Sequence, residues 1–305
     1  FPPVRVRYPY MFSYRHAFHA GNHADVLKHA TLVAVLQHLT LKEGALSVVD
    51  THAGAGLYKL DSNSATTSAE AEFGIKALLA HISKHGKASA PALLSAYVGM
   101  LRQFNGGKDI KMYPGSPIIA AELLRTQDRV MAFEVHPTDH RLLRTTLEQA
   151  TSRAKLLMDR KDGFEGIRSL LPPVSRRGLV VCDPSYELKT DYAEVLNMTV
   201  EALRRFATGS MLIWYPLVGR PEAHDLPRKL KNAVAKAGKS WLHATLQVRA
   251  GAAGQGTGGG LGASGVFVVN PPHTLKAQMQ EALPYLVEAL GQDTHAAFKL
   301  ESHGN

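Results

Sequence analysis

The chain has 305 residues, 45% hydrophobic and 20% charged, a balance that excludes a disordered polymer and suits one large domain or a domain carrying an insertion. With 35 Lys and Arg against 26 Asp and Glu, the net charge of +9 favours a polyanionic partner, because cations that displace condensed counterions supply much of the affinity for nucleic acid. A single cysteine, Cys182, excludes an internal disulfide and a cysteine-based zinc site. No run reaches the roughly 18 apolar residues that cross a bilayer and no cleavable signal pattern is present, so a cytoplasmic enzyme without membrane association, and monomeric, is expected.

Residues 1–10 hold three prolines and two arginines and read as a disordered extension outside the fold, the first Met being Met11. His16, His19, His23 and His29 follow in one short stretch. No cysteine or carboxylate completes a ligand set, so hydrogen bonding is expected of them and a metal site is not. Asn22 is placed to cap a helix running to about Leu41, with Asp25 in its first turn, where the helix dipole favours an acid. Residues 45–50 read as a buried strand ending in Asp50-Thr-His52-Ala-Gly54-Ala-Gly56. Glycines after a strand let the backbone approach a nucleotide-like ligand, and an acid at the strand tip can bond its amine or hydroxyl groups.

The second acid of a nucleotide-binding sheet is due about 20 residues later, yet no strand is there. Residues 62–108 are helical in character instead, over 71–84 and 91–104, and read as an insertion subdomain within a sheet domain formed by 11–61 and 109–286. A tight turn, Tyr113-Pro-Gly-Ser116-Pro117, leads into a helix over 118–124, and the awaited strand arrives at 129–134 with Glu134 at its tip. A carboxylate there can hold both hydroxyls of a ribose. Helix over 136–150 and strand over 154–159 come next, and Asp162-Gly163-Phe164 puts another acid near a strand end, suited to an adenine amino group.

The central strand then runs into Asp183-Pro184-Ser185-Tyr186. An exocyclic base amine is a poor nucleophile, because its lone pair is delocalised into the ring. A catalyst must accept hydrogen bonds from both N–H groups, and Asp183 and the Pro184 carbonyl can do so. Proline fixes φ and carries no competing N–H. Tyr186 would offer a face on which a flipped-out base stacks, an interaction worth roughly 1 to 3 kcal/mol. Beyond it the sequence predicts helix over 192–206, strand over 210–215, and an antiparallel strand pair over 241–249 and 265–270. The glycine-rich stretch between that pair reads as a flexible loop, and 287–305 as a C-terminal tail.

A glycine turn after the first strand, acids after the second and third, and Asp-Pro-x-Tyr after the fourth form the ordered pattern of S-adenosylmethionine-dependent amino-methyltransferases. The resemblance is closer than class level. The stretches Ser13 to His29, Asp50 to Gly56, Tyr113 to Pro117, Asp162 to Phe164, Leu171 to Gly178 and Arg205 to Gly209 resemble the RlmJ family of bacterial 23S ribosomal RNA adenine-N6 methyltransferases, from about Met11 to about Leu286.

That resemblance implies an α/β, Rossmann-like class I methyltransferase sheet with a small helical insertion, and methylation of adenine 2030 of 23S rRNA at N6. It also implies S-adenosylmethionine contacts at His29, His52, Ser116, Glu134, Asp162 and Gly163, with Gly54 in the glycine turn, a catalytic acceptor at Asp183 and a substrate contact at Tyr14. Ser185 departs from the family's Asp-Pro-Pro-Tyr, which leaves the turn less constrained. A DNA adenine-N6 methyltransferase, a nicotinamide-dependent dehydrogenase and a non-catalytic RNA-binding module are the rival readings. The first lacks a visible sequence-recognition domain, the second lacks the G-x-G-x-x-G spacing, and the third would bind cofactor without transferring methyl.

Overall fold

The computed structural model describes residues 19–60, 70–250 and 261–304. In chain order they form α1 (His23–Leu39), β1 (Ser47–Asp50), β2 (Leu57–Lys59), α2 (Ala77–His85), α3 (Ala92–Phe104), β3 (Met112–Pro114), α4 (Ser116–Leu123), β4 (Arg129–Phe133), α5 (Pro137–Gln149), β5 (Lys155–Asp159), α6 (Gly163–Leu170), β6 (Gly178–Cys182), α7 (Lys189–Arg205), β7 (Ser210–Pro216), α8 (Pro221–Lys236), β8 (Trp241–Gln247), β9 (Ala263–Val269), α9 (Leu275–Leu290) and β10 (Ala297–His303).

Eight strands make one sheet in the order β10-β8-β9-β7-β6-β1-β4-β5. The stretch from β5 to β7 is parallel, and β9 enters antiparallel between β7 and β8. This is the expected class I methyltransferase arrangement with one added edge strand. The apolar runs of β1 and β6 follow from burial on both faces. Leu179 and Val181 join the core on one side of the sheet, Val180 and Cys182 the core on the other. The first core lies under α1 to α4 and α9, the second under α6 to α8, and a smaller cluster lies beneath α5.

Asn22 caps α1 as expected, its side chain accepting from the Asp25 amide at 2.9 Å. The helix is buried from His23 through Leu36 on every side rather than along one stripe. It therefore runs through the interior, between the sheet and α3. The segment carrying α2 and α3 leaves and rejoins the sheet domain through an antiparallel ribbon of β2 and β3, in which Tyr58 faces Tyr113. Glu70, at the start of this segment, bonds His19 at 2.8 Å and the Asn22 amide nitrogen at 3.0 Å. Gly74 passes so close to the 21–22 backbone that a Cβ would lie 2.0 Å from the Gly21 carbonyl. This helical segment thus shares one core with α1 and the sheet.

Two features depart from expectation. Residues 297–303, expected as part of a tail, pair antiparallel with β8 over seven register positions and extend the sheet. Helix α8 was not anticipated, because Pro227 lies within it, and α9 likewise contains Pro284. A proline inside a helical pattern normally ends or kinks it. Residues 1–10, Tyr14, His16 and most of the glycine-rich stretch lie outside the described residues.

Candidate active site

The strand order reverses at β1: the chain proceeds to β4 and β5 on one side, then returns to β6 and β7 on the other. In open α/β sheets ligands bind at the carboxyl edge beside such a switch point. Four acids stand there. Asp50 is the last residue of β1, Glu134 follows β4, Asp162 lies three residues beyond β5 and Asp183 follows β6. One cleft is lined by Lys28, His29, His52, Gly54, Ser116, Glu134, Asp139, Asp183 and Ser185, among others.

On the Glu134 side the cleft is built from backbone. The Glu134 carboxylate accepts from the amides of His136 at 2.7 Å and Gly54 at 2.8 Å. Burial pushes this carboxyl up to about 7, against the downward pull of the His136 amide. Gly54 has φ of 59°, and a Cβ there would lie 2.4 Å from the Tyr58 hydroxyl, so the turn admits only glycine without rearrangement. Asp50 is 1% exposed, and burial raises its carboxyl to about 6, partly offset by hydrogen bonds from Ser116 and the His52 amide. His52 shares a 2.8 Å hydrogen bond with the Thr51 hydroxyl and packs edge-on against Phe164, and burial pushes its imidazole down to about 3, so it is neutral. His29 bonds the Tyr113 hydroxyl at 3.0 Å, which in turn bonds Tyr97 at 2.7 Å, tying the cleft wall to α3.

Asp162 and Gly163 stand outside that lining. Asp162 caps α6, accepting from the Phe164 amide at 2.8 Å. Gly163 lies against the first turn after β1, where a Cβ would meet the Thr51 carbonyl at 2.0 Å. Gly163 thus packs against the turn that carries His52.

On the other side, Asp183 meets a partner that sequence reasoning missed. Lys28, 3% exposed, bonds Asp183 and lies 2.8 Å from Asp25. Burial pulls the ammonium down, and the charges of Asp183 and Asp25 more than reverse this, leaving Lys28 raised above its ordinary value. Asp25 also accepts from the Gly21 amide at 2.9 Å. A lysine one turn after an acid is unremarkable on a solvated helix. The signal lay in the absence of a polar face on α1, which forces both charges into the interior.

Pro184 is buried, and no described residue donates to its carbonyl. Tyr186 requires a correction. Its ring is 3% exposed, packed against Tyr192 and Trp214 with centroids 4.7 and 6.1 Å away, and its hydroxyl donates to the Trp214 carbonyl at 2.6 Å. It offers no free face for stacking and anchors the turn instead.

Among the described residues no group of three or more His, Cys, Asp or Glu is arranged to hold a metal, and no helix is long and apolar enough to cross a membrane.

The comparisons with known proteins agree with this architecture. A protein of Haemophilus influenzae described as ribosomal RNA large subunit methyltransferase J is 41% identical over 292 residues, covering 95% of this chain and 98% of its own. The protein of that description from Escherichia coli is 41% identical over 276 residues, covering 90% and 93%. A crystal structure of a Legionella pneumophila protein superposes with a TM-score of 0.80 at 31% identity, covering 93% of this chain and 98% of that one. The family model described as ribosomal RNA large subunit methyltransferase D, RlmJ, matches residues 43–301, and the chain belongs to that family.

Proposed function

We propose that the protein transfers a methyl group from S-adenosylmethionine to the N6 amine of one adenine in 23S ribosomal RNA, adenine 2030 being the site expected from the resemblance. The observation that carries this reading is the sharing of one cleft by Asp183 and Glu134, an acceptor for an amine and an acceptor for a ribose. Family membership supports ribosomal RNA as the substrate class.

The donor set suits such a cofactor. Glu134, raised by burial, gains from hydroxyl donors; the glycine backbone at 54 and 115 permits close approach; Asp50 and Ser116 supply polar groups at the tip of β1. The cofactor supplies an electrophilic methyl on sulfur. The chain's own groups bind and orient. Asp183 accepts one N–H of the target amine and the Pro184 carbonyl the other, which draws the nitrogen lone pair out of conjugation and aims it. The Lys28 ammonium balances the charge of Asp183 and holds its carboxylate in place. Positioning of this kind supplies much of the rate, since reacting atoms must be held about 3 to 3.5 Å apart in line.

Labelled methyl transfer to unmodified 23S rRNA, followed by digestion to nucleosides, tests the reading. N6-methyladenosine at a single position is expected, and equal labelling of DNA of the same sequence would favour the DNA enzyme. Asp183→Ala should lower transfer by about a hundredfold or more while leaving cofactor affinity nearly unchanged. Full activity in that variant would remove Asp183 from the mechanism.

A further inference from the structure

The turn that delivers Asp183 is held from outside the cleft. Tyr186 has φ of 55°, in the left-handed region where a non-glycine residue is strained and persists only when its surroundings fix it. Two side chains and one backbone bond do so. Arg220, the residue preceding α8, donates from Nη1 to the Tyr186 carbonyl at 3.0 Å and to the Glu187 carbonyl at 3.2 Å. Asp191, in the first turn of α7, donates its backbone amide to the Leu188 carbonyl at 3.1 Å. The Tyr186 hydroxyl is fixed to the Trp214 carbonyl of β7.

Ser185 contributes little to this hold. It is exposed, and its hydroxyl makes only a long contact, 3.5 Å, with the Glu187 amide. A proline at that position would fix its own φ and restrict Pro184 as well. Serine does neither, yet the acceptor pair Asp183 and Pro184 lies immediately before it.

We propose that Arg220 is a positioning residue for methyl transfer: by clamping the carbonyls of residues 186 and 187 it aims Asp183 and the Pro184 carbonyl, a task that a proline at 185 would perform covalently. The inference rests on the methyl-transfer reading above. Its logic is mechanical. Charge-assisted bonds from a guanidinium are roughly twice as strong as neutral ones, and here one guanidinium grips two successive carbonyls of a strained peptide segment. The clamp arrives from the start of α8, so the aim of the turn depends on how that helix packs on its face of the sheet.

The test uses Arg220→Ala and Arg220→Lys in the full chain, each with and without Ser185→Pro. Two quantities are read: amide hydrogen exchange at residues 186–188, and single-turnover methylation of rRNA. In Arg220→Ala, exchange there should quicken about tenfold with β1 and β6 unchanged. The transfer rate should fall about 10- to 100-fold, with the RNA KM and cofactor Kd staying within about twofold. Ser185→Pro should restore most of that rate, raising the Arg220→Ala variant by a larger factor than the parent. Arg220→Lys, a compact cation without the planar fork, should lose several-fold and be rescued the same way.

An unchanged rate in Arg220→Ala despite faster exchange overturns the proposal, as does a loss that Ser185→Pro leaves in place in both Arg220 variants. A parent that binds RNA and cofactor yet transfers no methyl would defeat the underlying reading instead, and the exchange arm would still decide whether Arg220 holds the turn.

Discussion

Lys28 is the residue on which the interior electrostatics of the site turns. Its ammonium is buried between Asp25, equally buried, and Asp183, which is 12% exposed at the cleft, so solvent screens the three charges little. Removing the cation leaves two carboxylates facing one another, so Lys28→Met should cost about 3 to 5 kcal/mol of stability, read from urea unfolding. A loss below about 1 kcal/mol would mean that the acids neutralise each other by sharing a proton. Asp50 carries the opposite linkage. Its carboxyl is raised to about 6 in the folded chain, so folding favours the protonated form. The resulting stability is complete below the ordinary carboxylate range and is lost as pH rises through about 6. Asp50→Asn, which cannot ionise, should therefore lose less stability than the parent between pH 5 and pH 8, by roughly 1 to 3 kcal/mol, and parallel curves would show that Asp50 is ionised at no extra cost. Position explains which of these residues the sequence could reveal. Glu134, Asp162 and Asp183 follow apolar strands and so declare themselves as edge acids, whereas nothing in the spacing of Asp25 and Lys28 distinguishes a buried ion pair from a solvated one. The same limit applies to Tyr186: an aromatic after Asp-Pro-x can face the cleft or the core, and only packing decides between them.

At the scale of elements, the strands of the sheet were legible because burial on both faces leaves continuous β-branched runs, and the helices between 71 and 104 because a strand due after Gly56 is missing. Elements with mixed signals were not. Helix α8 is interrupted by Pro227, and β10, with the sequence Ala-Phe-Lys-Leu-Glu-Ser-His, is mostly exposed and looks like a solvated tail. What recruits β10 is its partner. It covers the open edge of β8, and Glu301 reaches Lys231 at 2.7 Å and His243 at 3.3 Å, linking the strand to α8 and β8. His303 also stacks on Trp241 with ring centroids 6.1 Å apart. Deleting residues 296–305 should lower the melting temperature by about 2 to 8 °C and promote self-association through the exposed strand. Because β10 lies at the far edge from β1, β4 and β6, the methyl-transfer rate of the folded fraction should be unchanged. A fall in that rate at full folding would connect this edge to the site.

For the whole molecule, charge and cofactor chemistry occupy different regions, and that separation makes a sharp expectation. The net charge is +9, yet the charged groups lining the cleft are Glu134, Asp139, Asp183 and Glu187 against Lys28, so the excess of cations lies elsewhere on the surface. If that excess serves RNA, it does so through phosphates, and each neutralised phosphate of a single strand contributes a slope of about −0.7 in the logarithm of affinity against the logarithm of salt. Cofactor binding, governed by buried hydrogen bonds, should be nearly indifferent to salt, since screening acts mainly on exposed charges more than about 8 to 10 Å apart. Raising salt from about 50 to 200 mM should therefore raise the RNA KM by a factor of about ten or more, for three or more phosphate contacts, while the cofactor Kd moves by less than about twofold. Equal, weak dependence in both would mean that the cations are not used in recognition, and that RNA is held mainly by the flipped base within the cleft. A strong dependence of cofactor binding alone would place mobile counter-charges at the cleft mouth, against the buried geometry of Glu134 and Asp50.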